Sequence, residues 1–284
     1  VPENVMPDIV TNLERKEICN YVCLDSFRWA ALVHNAFLRA GKYLPLAAYV
    51  VGHSRARLHV FKMIHFRDKP LKMKYSDPEY IQTLQVGTVV TPKMDTDFHD
   101  NKGDNISGKN GNYSELTGLY WIWKNDRSDY VGLSHYRRHF EVNEKDLETL
   151  ADSDIDVVLT IPIFDVPSVE RVYQRDHVEA DWQVMMEGMK TLCPEYLKAA
   201  RELSKGRFYY AYNMFLMRRE ILEKYCQWLF PLLLYCEKRC SGRERDSYQG
   251  RYIGFLAEHL MSIYFLYHEK EYKVVHARKH FVEW

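Results

Sequence analysis

The sequence His135-Tyr136-Arg137-Arg138 places two arginines and two ring side chains directly after the short apolar run 130–134. An arginine guanidinium presents a fixed fork of N–H donors, keeps its charge, and matches the oxygens of a phosphate group. Because the run 130–134 is typical of a buried strand, the cluster should lie at the carboxyl end of that strand, where open α/β sheets bind ligands. The spacing therefore predicts an anion site built on Arg137 and Arg138.

A structural role for the same arginines is the alternative interpretation. Arg137 and Arg138 have acids such as Asp104 and Glu141 available as ion-pair partners. His135 is the less specific member of the cluster, because a histidine at a strand end often makes only a packing hydrogen bond. Residue types alone leave the phosphate site and the ion pairs open.

A second pair of residues has the types needed for proton transfer. His177 and Asp181 are four positions apart, so on one helix they would share a face. A carboxylate beside a reacting hydroxyl group can take its proton, which makes Asp181 the predicted base and His177 its partner or a phosphate ligand. A polar pair exposed to solvent fits the spacing equally well. Two ligands are too few to specify a metal site, and no third residue stands out.

Two apolar runs predict the strands that position the cluster. The run 58–64 ends at His65 and predicts the first strand of an α/β domain, with a nucleotide pocket at its end. Asn112 and Glu115 have capping-box spacing, which predicts that a helix over 112–125 precedes the strand at 130–134.

The rest of the chain has strand patterns first and helical patterns later. Residues 20–51 read as one β-α-β unit, which predicts a partial α/β unit or the tail of a preceding domain in 1–57, followed by the main domain in 58–284. Further strands are predicted at 80–87, 154–163 and 209–217, and helices at 178–192, 194–203, 219–238 and 247–267. This order predicts an α/β fold whose carboxyl-terminal half is mostly helical.

Composition excludes several classes of protein. Lys plus Arg equals Asp plus Glu at 39 each, so no global field favours nucleic acid. The longest apolar stretch, around 228–236, is far shorter than the roughly 20 residues that span a bilayer. The six cysteines lack metal-site spacing and are interpreted as reduced thiols of a cytoplasmic protein. The 21 tyrosines weakly favour a carbohydrate-binding surface.

Several motifs together resemble one known family. They are Asp104-Asn-Ile-Ser107, Tyr113-Ser-Glu-Leu-Thr-Gly-Leu-Tyr-Trp-Ile-Trp-Lys-Asn125, Gly132-Leu-Ser-His-Tyr-Arg-Arg-His-Phe140, Tyr212-Asn-Met-Phe215 and Tyr225-Cys-Gln-Trp-Leu-Phe230. The chain resembles, over residues 58–270, a bacterial capsular and exopolysaccharide synthesis domain described as a domain of unknown function. Members of that family are regarded as glycosyltransferases, some of them linked to galactofuranose transfer. One departure is His259, where the family pattern has arginine.

The resemblance implies a fold and a reaction. It implies a GT-A-like domain that moves a sugar, galactofuranose or another hexose, from a UDP-sugar to a polysaccharide or lipid-linked oligosaccharide. Glycosyltransferases of this type usually hold a metal with Asp-x-Asp after a central strand, where this chain has His135-Tyr136-Arg137. We therefore expect a donor site that requires no metal, although aspartates of the loop 95–104 offer an alternative divalent-metal site. The basic and aromatic segment 270–279 suggests peripheral contact with the inner membrane face.

The resemblance also adds candidate residues to the cluster. Asp104 and Asn105 become donor contacts, although such residues often only make turns. Asn213 offers an amide to sugar hydroxyls, and a core asparagine bonded to the backbone is nearly as good an interpretation. Glu258 is a candidate for the acceptor hydroxyl, with a structural ion pair to an arginine such as Arg251 as the favoured alternative.

Two other functions remain open at the level of sequence. In a sugar-phosphate transferase the arginines would hold the migrating phosphoryl group. A non-catalytic carbohydrate-binding module of a multidomain synthase would bind glycan without nucleotide. The nature of the product separates the first alternative from sugar transfer, and nucleotide binding separates the second.

Overall fold

The structure is a computed structural model that describes residues 58–71, 77, 80–140, 150 and 155–281. The β-α-β unit predicted in residues 1–57, and with it the domain boundary at 57, lies outside these ranges. The four described cysteines, Cys193, Cys226, Cys236 and Cys240, are buried free thiols. None of the helices in the described ranges combines the length and the apolar character needed to cross a membrane.

Eleven strands are found in the described residues. They are β1 (Leu58–Ile64), β2 (Ile81–Gln85), β3 (Phe98–His99), β4 (Tyr130–His135), β5 (Arg138–Phe140), β6 (Val157–Thr160), β7 (Ile163–Phe164), β8 (Phe208–Tyr209), β9 (Phe215–Arg218), β10 (Val274–Ala277) and β11 (Lys279–Phe281). The main sheet has the order β10-β6-β9-β4-β1-β2-β3. In this sheet β1 is parallel to β2 and β4, whereas β9 is antiparallel to both of its neighbours.

The pairing of β1 with β4 determines where the candidate residues lie. Met63 of β1 is in register with His135 of β4, so both strands end at the same edge of the sheet. Five of the six residues of β4 are buried, as expected for a strand covered on both faces. Gly132 leaves room for its neighbours, because a Cβ there would lie 2.3 Å from Cδ2 of Leu216. The predicted strands at 58–64 and 130–134 are both found.

Seven helices accompany the sheet in the described residues. They are α1 (Asn110–Tyr113), α2 (Leu116–Asn125), α3 (Val169–Asp176), α4 (Glu179–Leu192), α5 (Leu197–Lys205), α6 (Arg219–Cys240) and α7 (Tyr252–Tyr267). Twelve of the sixteen residues of α7 are buried, so this helix is apolar on nearly all sides and lies in the core. The α/β fold with a mostly helical carboxyl-terminal half is confirmed.

Two local predictions about helices are wrong. Ser114 has a φ of 51°, so α1 ends there and α2 begins at Leu116, and the capping box does not form. Glu115 is instead buried, and its carboxylate accepts a hydrogen bond from Asn213. His177 follows the end of α3 whereas Asp181 lies in α4, so the two residues do not share a helix face.

The strand predicted at 209–217 is interrupted by a turn. β8 ends at Tyr209 and β9 begins at Phe215. Between them Tyr212 and Asn213 have φ values of 72° and 51°, in the left-handed region that side chains other than glycine disfavour. Contacts from other parts of the chain must therefore hold this turn, and they lie at the candidate site.

Candidate active site

A cavity of about 910 Å³ opens at the carboxyl ends of β1, β2 and β4. Its lining includes His65 at the end of β1 and the whole cluster His135-Tyr136-Arg137-Arg138 at the end of β4. The end of a parallel sheet is where ligands bind in open α/β folds. The structure therefore brings together the candidates that the sequence places at strand ends.

The lining of this cavity is rich in charged groups. The basic side chains are Arg67, Arg137, Arg138 and Arg251, and the acidic side chains are Asp68, Glu115 and Glu258. Burial, and next the charge of Glu115, raise the pKa of Glu258 to about 8. Burial raises the pKa of Asp68 to about 6. The four arginines outnumber the three acidic side chains, and a pKa near 8 keeps Glu258 protonated at neutral pH, so the cavity favours an anion.

Three polar side chains hold the left-handed turn against the cavity. His135 donates from Nε2 to the carbonyl oxygen of Tyr212 at 2.5 Å, and burial lowers the pKa of this histidine. Asn213 donates from Nδ2 to Glu115 Oε1 at 2.7 Å and to the carbonyl oxygen of Gly254 at 3.3 Å. Asn213 is almost fully buried and does not line the cavity. The contacts of the Asn213 amide support its interpretation as a core asparagine that hydrogen-bonds within the protein.

The two arginines of the cluster lie against aromatic rings. The guanidinium of Arg138 is 4.3 Å from the ring centroid of Tyr212, and Nζ of Lys279 lies 4.9 Å from the same centroid. The guanidinium of Arg137 is 5.6 Å from the ring centroid of Tyr136. Stacking on rings fixes the direction of a guanidinium.

The residues expected from the loop before α1 lie elsewhere. Asp104 is exposed and accepts a hydrogen bond from Tyr120 at 3.2 Å, and the side chain of Asn105 bonds to Gly103 and Ser107 within its own turn. Neither Asp104 nor Asn105 lines the cavity. Asn105 makes the contacts of a turn, the carboxylate of Asp104 bonds to Tyr120, and the other acid considered for Arg137 and Arg138 lies outside the described residues.

The aspartates of the same loop do not assemble a metal site. Asp97 accepts hydrogen bonds from Thr83, while Asp100 accepts from the backbone of Gly87 and Thr88 and from the Ser107 hydroxyl. Within the described ranges, no group of three or more His, Cys, Asp or Glu side chains is placed to hold a metal ion. The side chains of Arg137 and Arg138 at the end of β4 are cations, which attract an anion.

The predicted proton-transfer pair is divided between the cavity and the core. His177 lines the cavity, and burial lowers its pKa. Asp181 is fully buried and does not line the cavity. Its carboxylate accepts two hydrogen bonds from Arg245, at 2.6 and 2.7 Å, and a third from Arg243. A carboxylate held by two guanidiniums inside the protein cannot reach a substrate hydroxyl, which argues against Asp181 as the base.

Sequence reasoning missed several residues of the cavity lining, among them Asp68, Glu115 and Arg251. Asp68 and Arg251 were not among the candidates, and Glu115 was assigned to a helix cap. The signal for Arg251 is its spacing from Phe255 and Glu258, because positions i, i+4 and i+7 share one helix face. These three residues all line the cavity.

The departure from the family pattern at residue 259 concerns the core. His259 is buried, its ring stacks on Tyr209 at 4.7 Å, and its Nδ1 donates to the carbonyl oxygen of Phe255. Burial lowers its pKa to about 4, so the imidazole is neutral. His259 does not line the cavity, and the charge of the site is independent of it.

Fold and cavity together define an α/β protein with a candidate anion site at the carboxyl ends of its parallel strands. The chain belongs to the family described as domain of unknown function DUF4422, whose profile matches residues 62–270. A search of curated proteins finds no match.

A solved structure supports the comparison. The chain is similar to a WbbM bifunctional glycosyltransferase solved in the apo state, with 28% sequence identity and a TM-score of 0.70. The match covers 80% of this chain and 45% of that protein, so the chain spans less than half of its length. This likeness agrees with the expected GT-A-like fold.

Proposed function

We propose that the chain is a glycosyltransferase that moves a hexose from a UDP-sugar to a hydroxyl group of a glycan. The observation that carries the proposal is the cavity whose lining combines Arg137, Arg138 and Arg251 with the carboxyl group of Glu258. A diphosphate leaving group needs cations, and the attacking hydroxyl needs a base. The similarity to a solved glycosyltransferase supports the same reaction.

The arginines are assigned to the diphosphate of the donor. Arg137 and Arg138 follow the end of β4, and Arg251 reaches the cavity from the turn before α7. Guanidiniums bind phosphate oxygens through paired hydrogen bonds and neutralise the charge that develops on the leaving group. In this proposal they perform the task that a divalent metal performs at Asp-x-Asp sites, and the nucleoside lies towards His65 and Asp68 at the end of β1.

Glu258 takes the role first expected of Asp181. The acceptor oxygen forms a bond to the anomeric carbon, the bond from that carbon to the phosphate oxygen breaks, and the hydroxyl proton passes to the Glu258 carboxylate. A carboxyl group whose pKa is near 8 is a strong enough base for this step. The rate constant kcat/KM should therefore rise with pH along a limb centred near 8.

The donor sugar and the acceptor are proposed on the resemblance, and the setting on the cysteines and the basic, aromatic segment 270–279. Galactofuranose or another hexose is the transferred sugar, and a growing polysaccharide or lipid-linked oligosaccharide of capsule or exopolysaccharide synthesis is the acceptor. The reaction would take place in the cytoplasm, with peripheral contact at the inner membrane face.

Product analysis tests the proposed reaction. The protein is incubated with UDP-galactofuranose, UDP-galactose or UDP-glucose and a panel of methyl hexosides, with chelator present. The masses of the products are measured by mass spectrometry. We expect one hexoside to gain one hexose without phosphate, and Glu258→Gln to abolish the product while UDP still binds. A product that retains phosphate would establish sugar-phosphate transfer instead. Binding of hexosides without UDP binding or product would establish a carbohydrate-binding module.

A further inference from the structure

Three aromatic rings form a surface at one end of the cavity. The imidazole of His177 stacks on the ring of Phe255, with centroids 4.2 Å apart and planes 29° apart. The ring of Tyr248 lies 5.1 Å from Phe255 and 6.0 Å from His177. All three residues line the cavity, and Tyr248 is 53% exposed. We call His177, Tyr248 and Phe255 the aromatic platform.

The platform is contributed by a different part of the fold from the arginine cluster. Arg137 and Arg138 follow β4, at the edge where β1 and β4 end side by side. His177 lies between α3 and α4, Tyr248 precedes the turn Gln249–Arg251, and Phe255 lies in α7. A donor whose diphosphate lies on the arginines therefore leaves the platform open to the second substrate.

The platform also lies next to the proposed base. Phe255 and Glu258 are three residues apart on α7, which corresponds to about 4.5 Å along the helix axis. Arg251 is four residues before Phe255, and its guanidinium is 5.6 Å from the Phe255 ring centroid. The cavity that the platform lines thus also presents a cation and a carboxyl group to the hydroxyl groups of a bound ring. Sugar rings match this arrangement, because they have apolar C–H faces and hydroxyl edges.

The loop that carries Tyr248 is anchored before any ligand binds. Arg243 and Arg245 bind the buried carboxylate of Asp181, and Gln249 donates from Nε2 to the carbonyl oxygen of Asp176 at 2.9 Å. These contacts hold the loop on both sides of Tyr248 and next to His177. Asp181 is thus a positioning residue of the platform, because its ion pairs fix the segment that carries the ring.

We propose that the aromatic platform binds the terminal sugar ring of the acceptor and presents one of its hydroxyl groups to Glu258. This inference rests on the proposed function, since it assigns the second substrate of the same cavity. It names a site for a neutral sugar ring that lies beside Arg251 and is separate from Arg137 and Arg138.

Sugar binding is tested with Tyr248→Ala and Phe255→Leu, with Tyr267→Ala as the matched control. Tyr267 is another exposed tyrosine, at 43%, and does not line the cavity. The probes are methyl β-galactopyranoside, methyl β-glucopyranoside and methyl α-mannopyranoside, measured by saturation-transfer NMR with UDP present, and UDP affinity is measured by calorimetry. We expect at least one glycoside to bind the wild type, and its affinity to fall roughly three- to tenfold in both platform variants. UDP affinity should stay unchanged in Tyr248→Ala and in the control, whereas Phe255→Leu also removes the ring beside the Arg251 guanidinium and is compared for glycoside binding only.

Two results would overturn the inference. Equal glycoside binding by the wild type and both platform variants, or no binding of any glycoside to the wild type, would show that the platform does not hold a sugar. Weaker UDP binding in Tyr248→Ala would show that this ring stacks on the uracil of the donor. Failure of the wild type to bind UDP would contradict the proposed function instead, and glycoside binding without UDP would still test the platform.

Discussion

Replacing Glu258 by glutamine should remove a pH-dependent loss of stability. The pKa of Glu258 is raised from 4.5 to about 8, first by burial and then by Glu115. Between these two values the folded protein keeps a proton that the unfolded chain releases, so the free energy of unfolding falls as pH rises. The stabilisation is complete below about pH 4.5 and is lost once pH has risen through about 8.

The size of the effect follows from the size of the pKa shift. One pKa unit corresponds to about 1.4 kcal/mol, so the full shift of Glu258 gives an upper bound of about 5 kcal/mol. The side chain is only partly buried and opens to the cavity, where water screens its charge. We therefore expect about 2 to 4 kcal/mol between pH 5 and pH 9. Glutamine has the shape of glutamate but does not titrate, so the variant should lack this pH-dependent change in the free energy of unfolding.

Urea unfolding of the wild type, Glu258→Gln and Glu187→Gln at pH 5 and pH 9 measures this pH-dependent change in the free energy of unfolding. Glu187→Gln is the matched control, because Glu187 is an exposed carboxylate on α4. The free energy of unfolding of Glu258→Gln minus that of the wild type should be about 2 to 4 kcal/mol larger at pH 9 than at pH 5. The control should follow the wild type at both pH values. Parallel pH profiles for wild type and Glu258→Gln would refute the argument that this carboxyl group is protonated in the folded state.

Three further substitutions test how the site is built. His135→Phe leaves the carbonyl oxygen of Tyr212 without its donor, so urea unfolding should show a loss of about 1 to 3 kcal/mol and calorimetry a weaker UDP affinity. Asp181→Asn weakens a buried ion pair, which should cost about 3 kcal/mol and raise KM for the acceptor in a product assay, while turnover at saturating acceptor persists. Abolished turnover in folded Asp181→Asn would restore Asp181 as the base. Gly132→Ala places a Cβ against Leu216 and should lower the free energy of unfolding in urea by about 1 to 3 kcal/mol. An unchanged free energy of unfolding would show that the Leu216 side chain moves away.

The part of the site that follows from strand ends was predictable from the sequence. The apolar runs at 58–64 and 130–134 predict strands, and parallel strands end at one edge, so His65 and the cluster at 135–138 come together. The spacing of Arg251 and Glu258 is that of residues on one helix face, so it also predicts that both reach the same cavity. Local pattern is sufficient in these cases because the strand and helix periods fix the directions of the side chains.

The contacts that failed prediction depend on residues distant in sequence. Glu115 has capping-box spacing, yet its carboxylate bonds to Asn213, which is 98 positions away. The left-handed turn at Tyr212 and Asn213 contains no glycine that would indicate it in the sequence. It is held by hydrogen bonds to His135 and Glu115. Asp181 has the residue type of a base, and only its pairing with arginines 62 and 64 positions away removes it from the cavity. Tertiary contacts of this range leave no local periodicity in the sequence.

In the proposed function, arginines at the end of β4 hold the diphosphate of a nucleotide donor. A thermal-shift titration with UDP, GDP and CMP, with manganese and again with excess chelator, measures this binding, because a ligand that binds the folded state raises Tm. Arg137→Ala is the test variant, and Arg201→Ala, at an exposed arginine on α5 outside the cavity, is the control. UDP should raise Tm of the wild type and the control in chelator, and should fail to do so for Arg137→Ala. Stabilisation that requires manganese, or that survives Arg137→Ala unchanged, would contradict the claim.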